Sequence, residues 1–270
     1  MKNKITGYDE FIRESTNSSK DSAITRAIEI LFALSSSPEP LSAIGVSEKL
    51  KIPKASIHRL MVHLESIGIL EREPGSKKFI TGQRLNNLAI ETLINSPNKS
   101  MRHSILEALV SDLKETCNIT ALAGNKVIYI DRVESQWPLR IHLQPGSIVP
   151  IYCGASGKLF LSYMPAQQRR RILNSITLVK YTEHTIINIE KIEKELKKIR
   201  SQNYGLDIEE FMQGLIGIAV PIFNRNNKIC GTVSIHIPTV RHDLSEAIAC
   251  IPKLRIAAEK ISQTFSREDI

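Results

Sequence analysis

The sequence predicts an α+β chain in two parts, a small, mostly helical N-terminal domain and a larger domain with helices flanking an antiparallel sheet. Three observations predict it. Two short helical stripes of apolar residues meet at a tight corner, Lys51-Ile52-Pro53. Two brief β-rich runs follow, separated by a turn with Pro74 and Gly75. Beyond Asn118 the helical spacing gives way to β-rich runs, and it returns as a helix at the end of the chain.

The corner carries the functional argument. Val46 and Leu50 mark one apolar stripe, and Ile57, Leu60, Met61 and Leu64 mark the other at the spacing of a helix buried on one side. Pro53 cannot continue the first helix but is tolerated at the start of the second. Opposite the second stripe lie Ala55, His58, Arg59 and Val62, with Lys54 and Ser56 in the first turn. Such a face is short near its N-terminus and basic one turn later, which suits insertion into a DNA major groove. Lys54 and Arg59 then neutralise phosphates, while Ala55 and Ser56 are short enough to approach base edges. The same pattern also describes an ordinary helical hairpin with a solvated outer face.

The next segment favours the first reading. Ile69–Arg72 and Lys78–Thr81 read as strands of a hairpin with Lys77 and Lys78 at its tip, placed to reach backbone or minor groove. A helix over Ser22–Ser35, with Ile24, Ala27, Ile28, Leu31 and Leu34 on one face, completes a winged helix-turn-helix over residues 22–82. Residues 1–21 read as a polar, flexible tail.

At 270 residues the chain has room for two domains, each with a sizeable core. It has no run of about 18 apolar residues and no apolar centre in MKNKITGYDEFIREST, so the expectation is a cytoplasmic protein without a membrane span. Cys117, Cys153, Cys230 and Cys250 are scattered singly, which suggests neither a zinc site nor a disulfide framework, and no cofactor is expected. The net charge of +8 permits an anionic partner without demonstrating one. The Arg169-Arg170-Arg171 run and the Glu/Lys-rich stretch 190–200 read as solvated helical faces.

Residues 83–96 carry Leu85, Leu88, Ala89, Thr92 and Leu93 at helical spacing, and residues 83–98 form a linker helix with a boundary at Pro97-Asn98. The second domain then covers 99–270. It opens with a helix over 99–116, and strands follow at Ile119–Leu122, Lys126–Val133 and Leu139–Leu143. Gly146–Pro150 is a loop, and helices come at 154–163, 165–173 and 188–202. Strands at Tyr204–Asp207, Ile216–Phe223 and Ile229–Ile237 precede a closing helix at 245–265. Ser234 and His236 are two apart on a strand and share a face. Ser156, Cys153, His236 and Asp207 are of the types that supply nucleophile, base and orienter, so a hydrolase or acyl-transfer enzyme is the alternative reading. A nucleophile elbow, a phosphate loop and metal-ligand spacing are all missing, so no enzyme is expected.

Five collinear segments resemble the IclR family of bacterial transcriptional regulators over about residues 22–265. They are RAIEILFAL, IPKASIHRLMVHLESIGIL, VIYIDRVES with LRIHLQPGSIVPIYCGASGK, NYGLDIEEFMQGLIGIAVPIF, and ICGTVSIHIPTVR. The resemblance implies a winged helix-turn-helix, a linker helix and a GAF-like α/β effector domain. It further implies a double-stranded operator, a small organic effector of a catabolic pathway, and a homodimer or homotetramer. The family's effector pocket carries over to Ile141, Ala155, Ser156, Asp207, Leu215, Gly217, Ser234 and His236. Asp207 either faces that pocket or caps a loop, and His236 is either an effector donor or a structural hydrogen-bond donor. In this resemblance Gly217 stands where many relatives have Cys, and His236 replaces a small polar residue. Lys51 occupies a turn position where Gly is common, and a left-handed backbone there costs roughly 1 kcal/mol.

Overall fold

The computed structural model describes residues 22–37, 39–73, 75–137 and 146–265, and the chain divides into two compact units, Met1–Asn87 and Leu88–Ile270. The tail of residues 1–21, the expected strand Leu139–Leu143 and candidate Ile141 lie outside the described residues.

The first unit contains α1 (Ala23–Ser35), α2 (Ala43–Leu50), α3 (Lys54–Ser66) and the hairpin β1 (Leu70–Arg72) and β2 (Phe79–Thr81). The Ser22 and Ser42 hydroxyls accept the amides of Thr25 and Gly45, which fixes where α1 and α2 begin. α2 ends at Lys51 in the left-handed conformation, φ 56°, and the Ser47 hydroxyl holds the corner by donating to the Ile52 carbonyl at 2.7 Å. Ile30, Val46, Ile57, Met61, Leu70 and Phe79 form the buried centre. Leu41 adds one bridge to Phe79, so the hairpin is tied back to the chain before α2.

The face expected to be buried on α1 is only partly the buried one. Ile30, Ala33 and Leu34 are buried, whereas Ile24 and Ile28 are 73% and 48% exposed. The helix is apolar around most of its circumference, and periodicity alone does not say which stripe meets α2 and α3.

Helix α4 (Gln83–Ile94) crosses the division between the units. The second unit continues with α5 (Lys99–Leu113), β3 (Thr116–Ala123), β4 (Lys126–Val133), β5 (Ile148–Pro150), α6 (Ala155–Tyr163), α7 (Ala166–Ser175) and α8 (Ile189–Gln202). It closes with β6 (Gly205–Ile208), β7 (Leu215–Phe223), β8 (Ile229–Pro238), α9 (Leu244–Ala249) and α10 (Ile251–Phe265). Among the described residues the strands form one antiparallel sheet in the order β5-β4-β3-β8-β7-β6.

Four expectations need correction. α5 stops at Leu113 because Lys114 turns left-handed at φ 60°, so β3 starts at Thr116 rather than at Ile119. The end of the Gly146–Pro150 loop is the strand β5, paired with Lys126–Ile128. The closing helix is two helices, broken at Cys250, because Pro252 has no N–H to carry the ladder back into α9. Arg169 is not a solvated charge. It forks onto Glu193 of α8 with both side chains 11% exposed, so the basic run ties α7 to α8.

One face of the sheet is apolar. Cys117, Ile119, Ile216, Ile218, Val220, Val233, Ile235 and Ile237 pack there with Leu106 and Leu109 of α5 and Leu254 and Ile261 of α10. The opposite face is covered by α6, which approaches very closely. A Cβ on Gly205 would lie 2.3 Å from the Ala155 carbonyl oxygen, and one on Gly157 would lie 2.2 Å from that of Ile151. Gly205→Ala is therefore expected to lower stability by about 2–4 kcal/mol, because the clash is with backbone that cannot swing away. An unchanged urea midpoint for this variant would show that α6 does not sit so tightly on β6.

Candidate functional site

The first site is α3. Lys54, Ala55, His58 and Arg59 are exposed and Ser56 is half-buried, opposite Ile57, Met61 and Leu64 in the core. Pro53 precedes the helix and offers no side-chain cap. Among the described residues no bond takes up the Lys54 and Ala55 amides, which face outward at the positive end of the helix dipole. The wing is fixed against this helix by a residue the sequence reading passed over. Arg72 forks onto Glu65 of α3 at 2.9 and 3.2 Å, donates to the Lys77 carbonyl at 3.1 Å, and lies 4.0 Å over the Phe79 ring. Lys77 and Lys78 are exposed at the hairpin tip.

The second site is the polar face of the sheet beneath α6. Register places its residues in rows. Asp207 of β6 pairs with Gly217 of β7, Gly217 with His236 of β8, and His236 with Thr116 of β3. The next row is Gly205, Ala219, Ser234, Asn118 and Arg132. The row after that is Pro221, Thr232, Thr120 and Tyr129. Leu215 lies one step beyond Gly217, buried and on the same face by parity.

Ala155 and Ser156 open α6 behind Gly154, again without a side-chain cap. A Cβ on Gly217 would meet the Asp207 Cβ at 3.2 Å and the Ala155 Cβ at 3.6 Å, so β6, β7 and the start of α6 converge at this glycine. Seven of the eight residues carried over for the pocket are thus described: Asp207, Leu215, Gly217, Ser234 and His236 share one face of the sheet, and Ala155 and Ser156 open the helix that covers it; the eighth is Ile141.

Their chemistry is set by burial. Burial pushes the Asp207 carboxyl up to about 7, against the pull of the Lys158 ammonium and of the Glu210 and Phe211 amides, which donate to its Oδ1 at 2.8 and 3.3 Å. Asp207 therefore caps the loop after β6 as well as lying beside Gly217. His236 is pushed down to about 3, first by burial and then by the Arg132 charge, so it is neutral at pH 7. Its Nε2 lies 3.5 Å from the Tyr129 hydroxyl, and its Nδ1 is buried with no hydrogen-bond partner among the described residues.

Two buried cations missed by the sequence reading complete the site. Arg132, buried, donates to Asn118 Oδ1 at 2.8 Å and lies beside the Tyr129 ring. Lys158, also buried, pairs with Glu210 on the loop after β6. The alternation Cys117, Asn118, Ile119, Thr120 was the available signal for the polar side of β3. Nothing comparable announces Lys158, which sits in an otherwise apolar helix.

A profile of the C-terminal domain of bacterial IclR transcriptional regulators matches residues 93–263, and one of the IclR helix-turn-helix domain matches residues 23–74. The chain belongs to the IclR family. It is 38% identical over 245 residues to the probable transcriptional regulator SauR of Cupriavidus necator, covering 91% of this chain and 97% of that one. The crystal structure of the Thermotoga maritima IclR superposes with a TM-score of 0.60 at 28% identity, covering 89% and 97% of the two chains. An IclR homologue from Microbacterium hydrocarbonoxydans, solved with 4-hydroxybenzoate, shares the fold with a TM-score of 0.58 at 20% identity over 90% and 98%.

As a member of the IclR family the protein is a DNA-binding transcriptional regulator. The matched families and relatives are transcriptional regulators and not enzymes. The Ser156 hydroxyl accepts from Thr232 at 2.8 Å, and burial pushes the Cys153 thiol up to about 12, away from the thiolate a nucleophile needs. No helix among the described residues is long and apolar enough to cross a membrane.

Proposed function

We propose that α3 is the recognition helix, with Lys54 and Arg59 on phosphates and Ala55, Ser56 and His58 toward base edges, while Lys77 and Lys78 of the wing reach the adjoining backbone. In this reading residues 22–82 bind a double-stranded operator, 83–98 link, and 99–270 bind a small organic effector. The protein acts in the cytoplasm as a homodimer, or a dimer of dimers, on a roughly palindromic site. The exposed Ile24 and Ile28 row on α1 supports self-association, since it leaves an apolar stripe for a second copy.

The effector occupies the polar sheet face. Its carboxylate meets the first-turn amides of α6 at Ala155 and Ser156, and an oxygen elsewhere on it accepts from His236. Gly217 provides room beside it, and Ser234, Leu215 and Asp207 complete the walls. The observation that carries this reading is the buried His236 Nδ1, a polar atom without a partner in a face otherwise knit by hydrogen bonds. Effector binding biases operator affinity through α4 to the extent that it favours one arrangement of the DNA-binding domains.

The test uses pH. Below its pKa of about 7, Asp207 carries a proton and tolerates a neighbouring carboxylate; above it, two anions face each other in a buried space. His236 stays neutral throughout this range. Affinity for a small carboxylic acid found by thermal-shift screening should then fall by up to about tenfold per pH unit above pH 7, and Asp207→Asn should flatten the profile. A flat profile in the parent protein, or an affinity indifferent to His236→Ala, would show that the effector lies elsewhere.

A further inference from the structure

β6 covers only part of β7. Gly205 meets Ala219, and among the described residues Val220–Phe223 run on with no strand partner on that side. The uncovered end of β7 opens into a cleft of about 800 Å³, walled by the end of α8, by α10, and by Tyr163 at the end of α6. Of the residues lining it, Pro221 alone also belongs to a row of the polar face proposed for the effector, and none is among the residues proposed to hold the effector.

Two guanidinium groups enter this cleft. Arg200 of α8 lies 3.7 Å over the Tyr163 ring, and Arg255 of α10 donates to the Gln202 carbonyl at 3.1 Å. Burial raises the Tyr163 hydroxyl's pKa against the pull of the Arg200 and Arg255 charges, and both guanidinium groups line the same cleft as that hydroxyl. Among the described residues neither forms an ion pair with a carboxylate, although Glu259 stands on the same wall. The Tyr163 hydroxyl is itself engaged with Asn203 at 2.6 Å, and its ring meets Phe223 edge-on at 5.5 Å.

The floor argues against a peptide strand as occupant. Pro221 has no N–H to offer an added strand, and the Phe223 carbonyl already accepts the Ser262 hydroxyl. What the walls do offer is two planar forks of N–H donors around an aromatic plate, a match for a small oxyanion. Like charges on the walls of one open cleft repel each other, and an anion between them removes the repulsion and gains charge-assisted hydrogen bonds.

We propose that this cleft is a second small-molecule site, taking an oxyanion between Arg200 and Arg255. The group is the phosphate or the carboxylate of a small metabolite. Tyr163 forms the plate against which the body of such a ligand rests.

The test is calorimetric titration of the full-length protein at fixed ionic strength, with inorganic phosphate in one arm and succinate in the other. Saturable binding is expected in at least one arm, and Arg200→Gln and Arg255→Gln should each weaken it by about tenfold or more. Both side chains are exposed, so operator binding by the variants reports that they are folded. Binding of phosphate alone assigns a phosphoryl group, and binding of succinate alone a carboxylate. No saturable heat up to about 50 mM of either anion, or binding indifferent to both substitutions, would overturn the site.

Discussion

Lys54→Ala combined with Arg59→Ala is expected to weaken binding to the DNA upstream of the gene about a hundredfold at about 0.1 M salt. The two cations flank the start of α3 on its exposed side, and the first-turn amides lie between them and the corner. Each phosphate neutralised releases a counterion and adds about 0.9 to the slope of log K against log salt, so losing two per recognition helix removes four from a dimer and flattens the slope by about 3.6. Fluorescence anisotropy across a salt series measures both quantities. The loss should be of similar size on operator and on unrelated DNA, because phosphate contacts position the protein without reading sequence. An unchanged salt slope would mean that α3 does not face the duplex.

Lys158→Met is expected to cost about 3–5 kcal/mol, the usual penalty for leaving one member of a buried ion pair without its partner. The Lys158 ammonium and the Glu210 carboxylate are both buried, and the Glu210 carboxyl is already pushed up by burial despite the lysine. With the ammonium gone, its pKa rises further above its unfolded value. Such a group favours the fold when protonated and loses that contribution as pH rises through the folded pKa. Lys158→Met should therefore be closer to the parent at pH 5 than at pH 8. Adding Glu210→Gln should recover much of the loss at pH 8 by removing the stranded charge. Urea unfolding at the two pH values tests this, and a penalty independent of pH would place the cost in packing instead. The same pair holds the loop after β6, whose backbone is further tied by Thr182 and Thr185 hydroxyls donating to the Glu209 and Glu210 carbonyls at 2.6 Å. Loosening that loop also frees Asp207, which caps it.

The two halves of the chain differ in how much of their chemistry the sequence shows. In the first unit the signals are local. Ser22 and Ser42 as caps, Lys51 at the left-handed corner, Pro53 at the head of α3 and the Gly75 turn each lie within a few residues of what they control. The outer face of α3 follows at once from knowing that Ile57, Met61 and Leu64 face inward. What stayed hidden there was Arg72, seven residues from the Glu65 it grips, and the choice of buried stripe on an α1 that is apolar nearly all round.

In the second unit the period-two alternation of β7 and β8 was legible, and with it the shared face of Ser234 and His236. The neighbours across that face were not. Tyr129 reaches His236 across 107 residues, Ser156 meets Thr232 across 76, and Lys158 meets Glu210 across 52. A family resemblance supplied pocket positions, but it did not supply Arg132 or Lys158, nor the Gly205 approach that seats α6 on the sheet.

By itself, then, the sequence determined the corner and wing, most of the helices, the shared face of Ser234 and His236, and the family to which they belong. Only the tertiary structure decided which polar side chains share a buried face and which charges neutralise one another. The reason is physical. Helix caps, turns and alternation are governed by backbone geometry over one to four residues, whereas strand order and register bring distant residues together in a low dielectric. There a carboxyl rises to about 7 and an imidazole falls to about 3, and no local pattern anticipates either shift.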